Sequence, residues 1–145
     1  MEGLKYWWRL QELNQKRAKD DATYAKLLAK AKKDHGPGSE EVGDLHGEAR
    51  MVDADHDWEI SRLQSNYLIR EADRMLLPIP SIDDKTAWED EFPGFRILSR
   101  QARVALRATI RKERHEASQL WIAWAGPLTG LGGVVVAIIA LLAGK

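Results

Sequence analysis

The chain contains no cysteine in its 145 residues, and this absence excludes several classes of function. Disulfides, thiolate nucleophiles and cysteine-based metal or redox sites are all impossible. Net charge is absent too, because 22 basic residues balance 22 acidic ones, so overall charge attracts no particular partner. The sequence also lacks nucleophile-elbow, phosphate-loop and zinc-peptidase motifs. We therefore expect a non-enzymatic protein without a cofactor.

Charge is missing again from residues 120 to 143, LWIAWAGPLTGLGGVVVAIIALLA. About 20 apolar residues suffice for a helix to cross a bilayer. Trp121 and Trp124 lie near the start of this segment, as is typical of residues in the headgroup layer. Basic residues precede the segment, whereas only Gly144 and Lys145 follow it. The positive-inside rule therefore predicts a single-pass membrane protein whose residues 1 to 119 are cytoplasmic.

Small residues recur along the predicted span at spacings of three and four, which places them on one helix face. In lipid, helices associate through close backbone approach, which small side chains permit. A solitary helix that merely tolerates glycine is the alternative. Pro127 predicts a kink near the start of the span. We predict a homo-oligomer with an interface made of Gly126, Gly130, Gly133, Ala137, Ala140 and Gly144.

Two long helices are predicted at the N-terminal end. Residues 4 to 33 contain no glycine or proline, and the breaker His35-Gly36-Pro37-Gly38 follows them. Ser39 can cap a second helix that extends to about Leu77. Apolar spacing along both helices predicts an antiparallel hairpin over residues 1 to 77. We call the residues of each helix that are predicted to face the other helix its seam. The seams are Leu4, Trp7, Leu10, Asn14, Ala18, Ala22, Ala25 and Leu28 in the first helix, and Val42, Leu45, Ala49, Val52, His56, Ile60, Leu63 and Tyr67 in the second. Gly43 and Gly47 are predicted to contact the alanines of the first seam.

A proline-rich connector is predicted over residues 78 to 98, because Pro78 and Pro80 end the second helix. Thr86 and Glu89 have the spacing of a capping box, which predicts a short helix around Trp88. Ser99 can cap a third, basic helix over residues 99 to 119. The predicted fold is therefore all-α: a long antiparallel helical hairpin plus a third helix that continues into a single C-terminal transmembrane helix.

Arginines recur on one face of the third helix. Cationic side chains attract anionic lipid only within about 8 Å of the leaflet, so the more distant arginines need another partner. The acidic first half of the second helix, residues 34 to 59, is predicted to provide it. Nucleic acid is not expected, because no aromatic platform or nucleic-acid motif accompanies the arginines. The candidate residues for contact with lipid or an acidic partner are Arg100, Arg103, Arg107, Arg111 and Arg114, and Arg96 precedes them.

Asp53, His56 and Asp57 share one helix face and are the only side chains with metal-ligand spacing. The alternative is a packed histidine beside a solvated acidic face. Because no established metal motif contains this spacing, no metal site is predicted.

Four short features resemble a group of small, uncharacterised bacterial proteins that have a helical cytoplasmic domain and a C-terminal membrane anchor. They are Leu77-Pro78-Ile79-Pro80, Trp88, Leu98-Ser99 and the run from Ile110 to Arg114, which leads into a terminal segment containing tryptophan and glycine. The resemblance covers residues 76 to 145. It implies the bacterial inner membrane and provides no activity or site residues.

The sequence predicts a membrane-tethered scaffold or interaction protein that self-associates through its anchor and presents the hairpin to a cytoplasmic partner. The alternative is a holin- or toxin-like effector that oligomerises to depolarise the membrane, although the span lacks the polar face of a water-filled pore. A metal-dependent hydrolase would need Asp53, His56 and Asp57 to converge with further ligands.

Overall fold

The computed structural model describes residues 2 to 92 and 95 to 120, with residues 91 and 92 described by their backbone alone. The chain is mostly helical, as predicted, but it also contains a two-stranded antiparallel sheet. Helices α1 and α2 span Glu2–His35 and Glu40–Arg74, strands β1 and β2 span Trp88–Phe92 and Phe95–Leu98, and helix α3 is described over residues 100 to 120.

Among these residues, no helix combines the length and the apolar character that crossing a bilayer requires. Apart from Leu120, the predicted span lies outside the described residues. The same is true of the six small residues of the predicted oligomer interface, Gly126, Gly130, Gly133, Ala137, Ala140 and Gly144.

Helices α1 and α2 form a long antiparallel hairpin. Gly36 has φ of +88°, a left-handed conformation that glycine adopts without a steric penalty. The Ser39 hydroxyl accepts a hydrogen bond from the Val42 N–H at 3.4 Å and caps α2, as predicted. At the other end, the rings of Tyr6 and Tyr67 stack with their centroids 4.0 Å apart. Folding back at Pro37 predicts that the numbers of opposed residues sum to roughly 73, and the pair of Tyr6 and Tyr67 fits this register.

The face of α1 that packs on α2 differs from the prediction. Leu4 and Trp7 are 69% and 54% exposed, and only Leu10 and Leu28 of the predicted seam are even partly buried. The predicted alanines of the seam lie in solvent instead. The residues of α1 that face α2 at three- and four-residue spacing are Tyr6, Leu10, Leu13, Arg17, Asp20, Tyr24, Leu28 and Ala31.

Polar contacts explain this orientation of α1. Arg17 donates hydrogen bonds to Asp53 at 2.5 Å and to Asp57 at 2.7 Å, and Asp20 lies 2.9 Å from Nε2 of His56. His56 is only 3% exposed, so its ring nitrogen needs a partner within the protein. Because the middle of α2 offers these groups, α1 turns its charged residues toward them and its alanines away.

The seam of α2 is confirmed, since every predicted seam residue of this helix is buried or partly buried. The prediction that Gly43 and Gly47 contact α1 is wrong. Both glycines are exposed, and a Cβ atom added at either would meet nothing within 4 Å. They occupy ordinary solvent-facing helix positions.

Helix α2 ends at Arg74, slightly before the predicted end. The Leu76 N–H donates to the Asp73 carbonyl at 3.0 Å, and the Leu77 N–H donates to the Ala72 carbonyl at 2.9 Å. These are the two hydrogen bonds of a Schellman motif, which usually has glycine at its left-handed position. Here that position holds Leu76, with φ of 55° and 92% of its surface exposed.

The predicted short helix around Trp88 is wrong, because Trp88 begins a β-strand that pairs with β2. The Asp84 carboxylate accepts hydrogen bonds from the Thr86 N–H at 2.9 Å and the Thr86 hydroxyl at 2.6 Å. These bonds lower the pKa of Asp84. They also engage the Thr86 hydroxyl that a capping box would need, and Asp90 pairs with Arg96 across the sheet. The segment is therefore a turn and a hairpin.

The apolar core joins α2, β2 and α3. It consists of Leu68, Ala72, Leu98, Leu106 and Ile110. Ser65 is buried beside it and accepts a hydrogen bond from the Leu98 N–H at 3.2 Å. The Ser99 hydroxyl caps α3 by accepting from the Ala102 N–H at 3.2 Å, as predicted.

Candidate functional site

Helix α3 packs against the second half of α2. It starts beside Ser65, which binds the Leu98 N–H, and reaches Glu71 through Arg114. Between these two contacts, Arg107 lines a cavity together with Tyr6 of α1. Helix α3 therefore contacts both helices of the hairpin.

A cavity of about 370 Å³ lies where the three helices meet. Burial raises the pKa of Tyr6 there, although the positive charge of Arg107 acts in the opposite direction. The combination of stacked phenol rings and guanidinium groups makes this cavity aromatic and cationic. Its polar lining consists of Tyr6, Gln64, Tyr67, Arg107, Arg111 and Arg114.

Glu71 anchors one edge of this cavity. Its side chain is only 8% exposed, and its carboxylate pairs with Arg114 and, at 2.8 Å, with Arg74. A hydrogen bond with Tyr67 is the main cause of the raised pKa of Arg114, and Glu71 adds to the effect. Buried charges are usually paired in this way, because an unpaired one would be costly to desolvate.

Of the other arginines predicted to contact lipid or an acidic partner, Arg100, Arg107 and Arg111 are exposed, whereas Arg103 is partly buried and its Nη1 atom is enclosed by the protein. Arg96 pairs with Asp90 at 2.7 Å. Within the described ranges, no ion pair to a carboxylate is formed by Arg100, Arg103, Arg107 or Arg111.

The predicted acidic partner of the arginines was placed on the wrong part of α2. Glu71, which binds Arg114, lies outside residues 34 to 59. Asp53 and Asp57, within that range, bind Arg17 of α1 instead. The described contacts of α3 with α2 lie further along that helix, between Gln64 and Ala72.

The possible metal ligands do not converge. Arg17 binds the carboxylates of Asp53 and Asp57, and His56 turns toward Asp20. Over the part of the chain that the structure describes, no three His, Asp or Glu side chains form a group that could hold a metal ion. These side chains instead join the two helices of the hairpin.

A second surface was missed because two of its residues, Leu4 and Trp7, were assigned to the seam of the hairpin. Leu4, Trp7 and Trp8 are 69%, 54% and 65% exposed near the start of α1. Two consecutive tryptophans cannot both belong to one narrow helical seam, and this signal could have revealed the surface. The exposed alanines of the predicted seam continue it along the helix.

Comparisons with protein-family models, curated proteins and solved structures found no match. The chemistry of the described residues is therefore the basis for a functional proposal. It comprises a cationic α3, an aromatic cavity beside it and an exposed aromatic surface on α1.

Proposed function

We propose that this chain is a non-enzymatic, membrane-tethered helical interaction protein. Residues 120 to 143 would anchor it in the bacterial inner membrane, with the helical domain in the cytoplasm. The observation that supports this most strongly is the end of α3, where every residue from 111 to 120 is exposed. The apolar core packs against α3 only before this stretch, and Arg114 adds an ion pair with Glu71. The exposed turns after Arg114 would therefore act as a stalk between the domain and the uncharged segment.

The basic residues near the end of α3 also support a position of the helical domain at the cytoplasmic surface of the membrane. Arg114 precedes Leu120 by six residues, a rise of about 9 Å along a helix. This distance is close to the screening length of about 8 Å at physiological ionic strength. Basic side chains at such positions gain about 1 kcal/mol each from anionic lipid. Arg111 forms no ion pair with a described carboxylate and would therefore be available to the leaflet.

The hairpin is the part that a cytoplasmic partner would meet. With 34 and 35 residues, α1 and α2 are each about 50 Å long. Within the described chain, only the second half of α2 is covered by the core with α3 and β2. The rest of the hairpin exposes charged side chains over a large area, as an interaction surface would.

Topology is the property to test. The chain has no cysteine, so Gly47→Cys would create a single reporter on the exposed side of α2, where an added Cβ meets no atom within 4 Å. A membrane-impermeant maleimide should label this residue in inverted inner-membrane vesicles but not in intact spheroplasts. Gly144→Cys should show the opposite pattern. Labelling of position 47 in spheroplasts, or recovery of the full chain in the soluble fraction, would refute the proposed topology.

The holin- or toxin-like effector remains the second candidate, because the predicted span contains Pro127 and a face of glycines. Membrane potential distinguishes the two functions. An effector should depolarise bacteria that make the full chain, and a version ending at Ser118 should not. An intact potential with both versions would leave the interaction protein.

A further inference from the structure

The outer face of α1 is the side turned away from α2. It begins with Leu4, Trp7 and Trp8, all more than half exposed. At 100° per residue, the exposed residues Lys19, Lys26 and Lys33 lie on the same side. Gln15 and the exposed alanines of the predicted seam lie between these two groups. The outer face of α1 is thus aromatic at one end and cationic along the rest.

Basic residues outnumber carboxylates on this face within the described helix. Glu2 pairs with Arg74 of α2, and Asp20 turns toward His56. Glu12 lies on the face, beside Leu4, Trp8 and Gln15, and is bound by Arg9 at 2.7 Å. A helix face that presents tryptophan, leucine and an excess of lysine has the composition of helices that lie in the interface of anionic membranes. Trp side chains favour the headgroup layer, and lysines gain from its negative potential.

We infer that the outer face of α1 docks on the anionic surface of the membrane, with Leu4, Trp7 and Trp8 in the headgroup layer. This inference rests on the proposed tether. A second copy of the chain is a poor occupant, because two such faces would bring lysines of the same charge together. An anionic bilayer satisfies both the lysines and the tryptophans.

The test uses the full chain reconstituted in vesicles of phosphatidylcholine and phosphatidylserine. Gln15→Cys provides a single site at the centre of the outer face and leaves both tryptophans in place. Gly47→Cys, on the opposite side of the hairpin, is the matched control. Each cysteine is labelled with an environment-sensitive fluorophore, and quenching by headgroup-attached spin label is measured. We expect the label at position 15 to be quenched several times more strongly than the label at position 47.

The charge contribution is tested separately. The triple variant Lys19→Glu, Lys26→Glu and Lys33→Glu, or vesicles of phosphatidylcholine alone, should bring quenching at position 15 down toward that at position 47. Equal quenching at both positions in the unmodified vesicles would overturn the inference. Shielding of position 15 in lipid-free detergent solution that increases with protein concentration would also overturn it, because it would indicate a second copy.

Alkaline extraction of the same vesicles separates this inference from the proposed tether. A chain that resists extraction but shows no preferential quenching at position 15 would refute the docking alone. A chain that alkali removes from the vesicles would refute the tether, whatever the quenching shows.

Discussion

Arg114 of α3 binds the buried carboxylate of Glu71 on α2, although Arg114 itself is more than half exposed. This ion pair holds α3 against the domain at the point where the helix emerges into solvent, since every residue from 111 to 120 is exposed. In the proposed tether, this pair would transmit the orientation of the anchor to the hairpin.

Replacing Glu71 should therefore destabilise the domain. Glu71→Gln keeps the size of the side chain but removes the charge that Arg114 and Arg74 bind. We expect the free energy of unfolding to fall by about 1.5 to 3 kcal/mol, the usual range for hydrogen bonds to charged groups. Urea denaturation of the full chain in detergent micelles would measure it.

Arg96→Gln is the matched control, because it breaks an ion pair with Asp90 in which both side chains are largely exposed. Such pairs contribute less than about 1 kcal/mol. Equal losses for Glu71→Gln and Arg96→Gln would contradict the buried role of Glu71.

Substitution of the two exposed glycines of α2 should stabilise the protein, in contrast to Glu71→Gln. Gly43→Ala and Gly47→Ala should each raise the free energy of unfolding by about 0.5 to 1 kcal/mol, because glycine costs a helix backbone entropy. An added Cβ meets no atom within 4 Å at either position. Thermal unfolding followed by circular dichroism would show the gain. Gly36→Ala should instead lower the melting temperature, because Gly36 has a positive φ. Destabilisation by both α2 variants would mean that these glycines do contact another helix.

Leu76 provides a third prediction. Its left-handed conformation costs a side chain other than glycine about 1 to 2 kcal/mol, and its surface is 92% exposed. Leu76→Gly should therefore stabilise the chain by about 1 kcal/mol in the same denaturation experiment. Leu77→Gly is the control and should destabilise, because Leu77 packs against the apolar core. A loss of stability for Leu76→Gly would refute the Schellman geometry.

Self-association through the predicted span remains a prediction, and its residues lie outside those that the structure describes. Gly130→Leu together with Gly133→Leu should abolish crosslinked oligomers in membranes, because leucine prevents close backbone approach. Val135→Phe together with Ile139→Phe adds bulk on the opposite face of the predicted helix and should leave crosslinking unchanged. Persistent oligomers in the glycine variant would place the interface elsewhere.

The sequence predicted the parts of the fold whose signals are local. Ser39 and Ser99 cap their helices because a hydroxyl at that position serves free backbone N–H groups in any context. The seam of α2 was predicted for a similar reason, since Val42, His56 and the residues between them follow a single helical period.

The orientation of α1 and the form of residues 84 to 98 could not be predicted in this way. Arg17 and Asp20 face inward because α2 offers them charged partners, and no property of α1 alone indicates those partners. Thr86 has the spacing of a helix cap, but Asp84 binds its hydroxyl. The orientation of α1 and the conformation of residues 84 to 98 therefore depend on contacts with residues that the local spacing pattern does not include. The spacing of the arginines in α3 is visible in the sequence, but the pairing of Arg114 with Glu71 depends on the packing of α3 against the second half of α2.

The most direct test of the membrane tether is alkaline carbonate extraction of membranes from bacteria that make the full chain. We predict that the full chain stays in the membrane pellet. The variant with Val135→Asp and Ile139→Asp should be released, because each aspartate near the centre of a span costs about 2.5 to 3.5 kcal/mol. Release of the unmodified full chain by alkali, or equal retention of the aspartate variant, would contradict the tether.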